Sequence, residues 1–351
     1  MSGGKWDPTS LPIQPGLYIN FQKAAIAAIT GGARGIVAVP LLTYGANAKA
    51  KTFYTVETEK DAQDLFGSAN IRSILFALQG GAKEVLVYTM PATPTADDYV
   101  DMRDAFDARD FNVFAFDGEY NVDEQAKTKT WVKRNRDEGK HFLAVIGGDA
   151  TTDADPTQGN ARSTLNSDDY IANLISGAVD ASGNTYTSSE FAPYIAGLIA
   201  GTAINDGITN AQVDNIVDVT KRLTNPQFDE AIKAGSLVLF VFGNGDVRVK
   251  SGLVTSGEKI RAMRAQQSIA TDITTTAVDS YIGKLDNNVD GQTTLMVAIK
   301  AYLENLEVNN VLTAPSVGLD PNYESTGDKV FLLIGFNHVD SIERIFLTIN
   351  V

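Results

Sequence analysis

Glu84-Val85-Leu86-Val87-Tyr88, Phe111-Asn112-Val113-Phe114-Ala115-Phe116 and His141-Phe142-Leu143-Ala144-Val145-Ile146 are three apolar runs of strand length, and what lies between them decides the fold. Thr95 followed by Asp98 is a helix-start pair, and Tyr99, Met102 and Phe106 then fall on one stripe. Asn121 with Glu124 opens a second helix that carries Ala126 and the Trp131-Val132 pair and stops at Gly139. Strands that are apolar almost throughout bury both faces, and helices of this length between them serve as crossovers. The stretch therefore predicts an α/β fold with parallel strands.

The same alternation extends toward the N-terminus. Ile36-Val37-Ala38-Val39 follows the glycine-rich Gly31–Gly35 and stops at Pro40, as a short buried strand would. Thr58 with Asp61 starts a short helix ending near Phe66-Gly67, and a further helix over 71–78 reaches Gly80-Gly81. On the other side, 147–166 reads as a polar loop, 173–179 as a short strand, 191–203 as a small-residue helix, and 227–234 as a helix stopped by Gly235. The last third changes character. Leu237–Phe242 and Val247–Lys250 flank Asn244-Gly245, the favoured two-residue hairpin turn. Helices are expected over 257–281 and 292–306, the second with Leu295, Ile299, Leu303 and Leu306 on one face.

Both ends of the chain carry extended apolar segments. After an irregular lead-in over 1–15, Leu17, Ile19 and Phe21 share one side of a strand with no near partner. Val330–Phe336 is a nearly continuous hydrophobic strand. Beyond it Ile345, Leu347, Ile349 and Val351 alternate with Arg344, Phe346, Thr348 and Asn350. An apolar strand with an open edge invites association, so this segment either completes its own sheet or pairs with another chain.

Composition narrows the chemistry. With 44% hydrophobic and 21% charged residues over 351 positions, the chain can fold as two or three cored units. There is no cysteine, which removes disulfides, thiolate nucleophiles and cysteine-bound zinc; two histidines, His141 and His338, cannot form a cluster. The 29 Lys and Arg against 43 Asp and Glu leave a charge of −14, a sign that repels phosphate backbones and argues against direct nucleic-acid binding. No apolar run reaches bilayer length and no export signal is recognisable, so neither membrane insertion nor standard export is expected.

No catalytic, metal or cofactor residue is assigned. Gly31–Gly35 lacks the Lys-Ser or Lys-Thr of a phosphate loop, and Thr255–Lys259 lacks the glycine-rich spacer. The carboxylates of 148–155 and 286–290 do not reproduce a calcium loop. His141 opens an apolar strand and reads as structural. Arg261 and Arg264 lie one turn apart on a helix, as surface ion-pairing residues commonly do.

Several segments in order resemble the contractile-tail sheath family, in particular the short sheath proteins of myophages, defective prophages and tail-like bacteriocins. They are Pro15–Ile19, Arg34–Pro40, Ala77–Val85, the central Ala192-Pro193-Tyr194-Ile195-Ala196-Gly197-Leu198-Ile199-Ala200-Gly201, Val249–Thr255, Tyr281–Asn287 and Val339–Phe346. The resemblance covers almost the whole chain, without the large outer insertions of longer sheaths. It implies a structural, non-enzymatic subunit of a virion tail or tail-like particle, assembled in the bacterial host cytoplasm. Copies would form six-fold rings stacked around a tail tube, with baseplate and tail terminator proteins as further partners. Residues 1–24 would be an N-terminal linking arm, 25–90 the first part of the core, 91–234 an outer α/β domain, 235–335 an inner α+β domain, and 336–351 a C-terminal linking strand. The arms would be exchanged between subunits through Leu17, Ile19, Phe21, Ile345, Leu347, Ile349 and Val351, and Lys259, Arg261, Arg264 and Lys284 would face the tube. Alternatives are a tube or baseplate protein, a sheath from a bacterial injection or secretion apparatus, and a nucleotide-dependent α/β enzyme.

Overall fold

The structure, a computed structural model, describes residues 2–4, 16–18, 28–29 and 34–350, the first two segments as backbone only. β1 (Ser2–Gly4) and β2 (Gly16–Tyr18) pair in parallel, a short-range partner that the isolated apolar pattern around Leu17 did not suggest. Ile19, Phe21 and Val351 lie outside the described residues.

From Ile36 onward the chain builds one large sheet. In chain order come β3 (Ile36–Leu41), β4 (Phe53–Val56), α1 (Glu59–Phe66), α2 (Arg72–Gly80), β5 (Glu84–Thr89), α3 (Ala96–Asp107), β6 (Val113–Ala115), α4 (Val122–Asp137), β7 (Leu143–Ile146), α5 (Ala150–Asp153), α6 (Pro156–Leu165) and β8 (Ile171–Leu174). β9 (Ala178–Asp180), β10 (Thr185–Tyr186), α7 (Ser188–Gly201), β11 (Ile216–Val219), α8 (Asn225–Lys233) and β12 (Ser236–Leu237) follow. Seven strands hydrogen-bond in the order β12-β8-β7-β6-β3-β5-β4. All neighbours are parallel except β4, which runs antiparallel to β5 along one edge. The sheet thus spans residues 36–237 and passes through positions 90–91 and 234–235, where the family resemblance implied domain limits. A small sheet, β10-β9-β11, sits beside it.

The remaining chain forms β13 (Leu239–Val241), β14 (Val247–Val249), α9 (Ile260–Thr276), a π-helical turn (Ala277–Tyr281), α10 (Val289–Val308), β15 (Leu312–Leu319) and β16 (Leu332–His338). β13 and β14 make the expected hairpin. Ala265, Ile269, Ile299, Tyr302, Leu303 and Leu306 form a second core between α9 and α10, separate from the core of the large sheet.

The sequence reading placed no strand at β4, β10 or β11, and two further departures have a visible cause. Residues 147–166 are not a loop: Asp149 caps α5, and Asp155 with Pro156 opens α6. Periodicity hid α6 because its buried face is Gly159, Arg162 and Ser163, not apolar. Arg162 spends its donors on Asn173 Oδ1 at 2.7 Å and Leu174 O at 2.9 Å, which ties the helix to β8. The second is β15, unexpected because it contains Pro315 and shifts register between Thr313 and Ser316, with Ala314 at φ 53°.

Helix α7 lies against α2 main chain to main chain. A methyl group at Gly80 would fall far inside contact distance of Tyr194 O, one at Gly197 of Ala77 O, and one at Gly201 of Gly81 O. Only hydrogen at these positions lets the backbones approach so closely, and backbone atoms cannot move aside as a flexible side chain can. We expect Gly197→Ala to destabilise the fold by about 3 kcal/mol in urea titration, at the upper end of overpacking effects. Gly243→Ala, whose methyl would meet nothing within 4 Å, should stay within about 0.5 kcal/mol of wild type.

Candidate assembly site: the unpaired terminal arm and its root

β15 and β16 pair antiparallel from Leu312 opposite His338 to Leu319 opposite Leu332. Val317, Leu332, Ile334 and Phe336 turn inward onto the α9–α10 core. Among the described residues no third strand joins this sheet, so each strand has one edge of main-chain donors and acceptors without a ladder partner.

The chain then leaves the body. Residues 339–350 form no strand, and Ile345, Phe346, Leu347 and Ile349 are 73, 90, 80 and 79% exposed. One exposed leucine needs no explanation; four large apolar side chains on one short extended segment do. The segment is therefore not the last strand of its own sheet.

The proposed tube-facing cations divide. Lys259 pairs with Asp340 at 2.9 Å and Glu343 at 2.8 Å, and Arg261 donates to Ser341 Oγ at 3.0 Å and Asn310 O at 2.9 Å. Both hold the root of the terminal segment. Arg264 is buried and donates to Thr202 O and Ala203 O just past the C-terminal end of α7, where a cation suits the helix dipole. Burial, reinforced by nearby Arg34, pulls its pKa down to about 10. Asp272 accepts from Arg34 at 2.8 Å and Tyr302 at 2.5 Å, which completes a polar joint between the large sheet and the helix pair. Lys284 alone stands exposed, at the tip between α9 and α10, donating to Asp279 O beside Ile282, which is 66% exposed.

Positions that could have carried chemistry have structural partners. In a sheet of this order the first strand, β3, lies between β5 and β6, and ligands enter such folds at the carboxyl ends of the strands there. Leu42 and Phe116 directly follow the carboxyl ends of β3 and β6 and pack against Gly118, where a methyl would come within 2.7 Å of Leu42 Cδ1 and 2.9 Å of Phe116 Cε2. A cleft of about 450 Å³ opens at the opposite ends of the strands, lined in part by Arg34, His141, Arg264 and Asp272. Glu119 is buried against Arg103 at 3.1 Å, and burial pushes its carboxyl up to about 7. Asn288 of the oxygen-rich 286–290 stretch caps α10, and Asn287 ties to Gly327 O at 2.9 Å. His141 rests on Tyr170 Oη at 3.0 Å, and His338 faces Gln266. Among the described residues no group of three or more His, Cys, Asp and Glu could hold a metal ion, and no helix is long and apolar enough to cross a membrane.

Comparison with known proteins agrees with this geometry. Residues 92–252 match the model of the phage tail sheath protein central domain, and residues 255–351 that of the phage tail sheath C-terminal domain. A tail sheath protein of Clostridium phage phiCD119 is 23% identical over 95% of this chain and 98% of its own length. The crystal structure of a sheath tail protein from Desulfitobacterium hafniense superposes with a TM-score of 0.75 at 20% identity, covering 95% of this chain and 99% of that one. The anti-feeding prophage helical sheath in its contracted state gives 0.74 at 17% identity over 97% and 99%.

Asp153 makes the buried polar network sensitive to pH. It accepts from Ser188 N and Ser188 Oγ, both at 2.6 Å, and burial raises its carboxyl from an ordinary 3.8 to about 6. Between those values the folded chain keeps a proton that the unfolded chain has released, so this group's contribution to stability is full below 3.8 and lost as pH rises to 6. Asp153→Asn, which cannot ionise, should flatten the fall in urea midpoint across that window.

Proposed function

The chain belongs to the phage tail sheath family, and on that premise we propose that it is the repeating subunit of a contractile sheath. Six-fold rings of it stack around a tail tube and contract to drive the tube through a target envelope. The observation that carries this reading is the terminal segment: an exposed apolar stretch of alternating pattern that pairs with no strand among the described residues, next to a two-stranded sheet with open edges. Inserted beside β15 or β16 of another copy, residues 344–350 would gain main-chain hydrogen bonds and bury Ile345, Leu347 and Ile349 on one face. Each fully buried side chain of that size contributes about 1.5–3 kcal/mol, against about 1–2 kcal/mol of backbone entropy per ordered residue. A single joint is therefore modest, and a lattice gains by repetition. The first segment, around Leu17, Ile19 and Phe21, is read as the complementary N-terminal arm.

In this reading the α9–α10 pair and its hairpin face the tube, with the exposed Lys284 contributing charge there, and the outer part of the large sheet faces away. Lys259, Arg261 and Arg264 serve the subunit's own joints first. Strong strand joints combined with weaker lateral contacts allow copies to rotate past one another without separating. The work comes from the difference in buried contact between two lattice states, which calls for no cofactor, nucleic-acid contact or catalytic group. Baseplate and terminator proteins would close the two ends. The relatives come from a phage and from contractile injection particles, so either kind of particle, in its tail or tail-like trunk, fits the subunit.

Removing residues 344–351 tests the reading. The expected product is a folded monomer that melts as the full chain does and forms no striated tubes by electron microscopy. Tubes of normal yield and spacing would overturn the linking-arm function.

A further inference from the structure

The first turn of α9 has its charges the wrong way round. Lys259 occupies the N-cap position without a side-chain capping bond, Arg261 follows two residues later, and there is no acidic residue in the first turn. Cations are disfavoured at this end of a helix. The missing anions come from about eighty residues away: Asp340 and Glu343 both reach Lys259, while Ser341 accepts from Arg261. Lys259 is only 27% exposed and Glu343 18%, so the bridge is partly shielded from water and worth more than an open surface pair. Val339 N also donates to Val311 O at 3.4 Å, and Gln266 meets His338 at 2.9 Å. Residues 338–343 are thus held at several points, with Ile342 among them turned outward at 86% exposure, and the run of exposed apolar side chains continues from Ile345.

We propose that Lys259 and Arg261 form an electrostatic latch that fixes residues 338–343 to the subunit body, so that the linking arm pivots at Arg344 and leaves in one set direction. The assembly half of this proposal rests on the linking-arm reading above; the latch itself does not. Its value is preorganisation. An arm free from Val339 onward would have to order residues 339–350 on meeting a neighbour, whereas the latched arm orders only 344–350. Five fewer residues then lose backbone freedom on docking, which lowers the entropic cost of joining. The latch also confines bending to one place, so rotation between copies is taken up at a single hinge.

The test uses the full chain. Lys259→Met should leave the melting temperature unchanged and speed amide hydrogen exchange across 338–343 about fivefold, the size expected for a partly shielded bridging ion pair. It should also raise the protein concentration at which tubes appear about fivefold. Lys259→Arg should restore both. If Lys259→Met perturbs the fold, Asp340→Asn combined with Glu343→Gln removes the same bridge from the arm side and is read the same way. Unchanged exchange in 338–343 would overturn the latch, and faster exchange with an unchanged tube threshold would overturn its role in assembly. A chain lacking 344–351 that still formed tubes would instead overturn the linking-arm reading, and the exchange result would stand apart from it.

Discussion

Helices α2 and α7 touch at Gly80, Gly81, Gly197 and Gly201 with no side chain between them, and the subunit is organised outward from that contact. Because α2 gives way to it, α7 can sink onto the sheet until nearly every residue from Ser188 to Ala200 is buried, Phe191 stacking on Tyr194. Its C-terminal end then presents Thr202 O and Ala203 O to Arg264, and through α9 the same joint reaches Asp272 and Tyr302. The helix pair, its two-stranded hairpin and the terminal segment are thus referenced to the large sheet through this buried helix, with the Arg34–Asp272 pair as a second tie. A shift of α7 would be felt at the far end of the chain, because close-packed interiors transmit displacement instead of absorbing it.

What could be read from the residues follows from the range of the forces involved. The strands of 84–146 and the helices between them were legible because capping and periodicity are local, and the structure shows both capping-box bonds at Thr95 and Asp98. Asn244-Gly245 likewise set its hairpin unaided. Helix α6 was missed because its inward face is held by hydrogen bonds from Arg162, a pattern without apolar period. β15 was missed because Pro315 and a register shift interrupt it, and its partner β16 lies beyond a connection that leaves no short-range mark.

The candidate site was legible in part for the same reason. A period of two in 345–351 identifies a strand and its apolar face, but period carries no information about which chain supplies the partner. The cations of 259–264 were visible as a group, whereas their acceptors lie roughly sixty residues before them in the loop after α7 or eighty after them in the arm root. The family resemblance implied a tube-facing role; the fold turns three of the four toward the chain's own joints.

The open hairpin and the bare apolar segment also describe the subunit before it has any neighbours. On the linking-arm proposal each newly made copy would present an apolar arm and an open sheet edge, which is the recipe for premature, irregular polymer as much as for an ordered lattice. The −14 charge works in the opposite sense, holding copies apart by mutual repulsion whose reach shrinks from about 10 Å at 0.1 M salt to about 3 Å at 1 M. Shelf life in solution is then a contest between a short-range adhesive and a long-range cushion, and ionic strength sets which of them a stored preparation obeys.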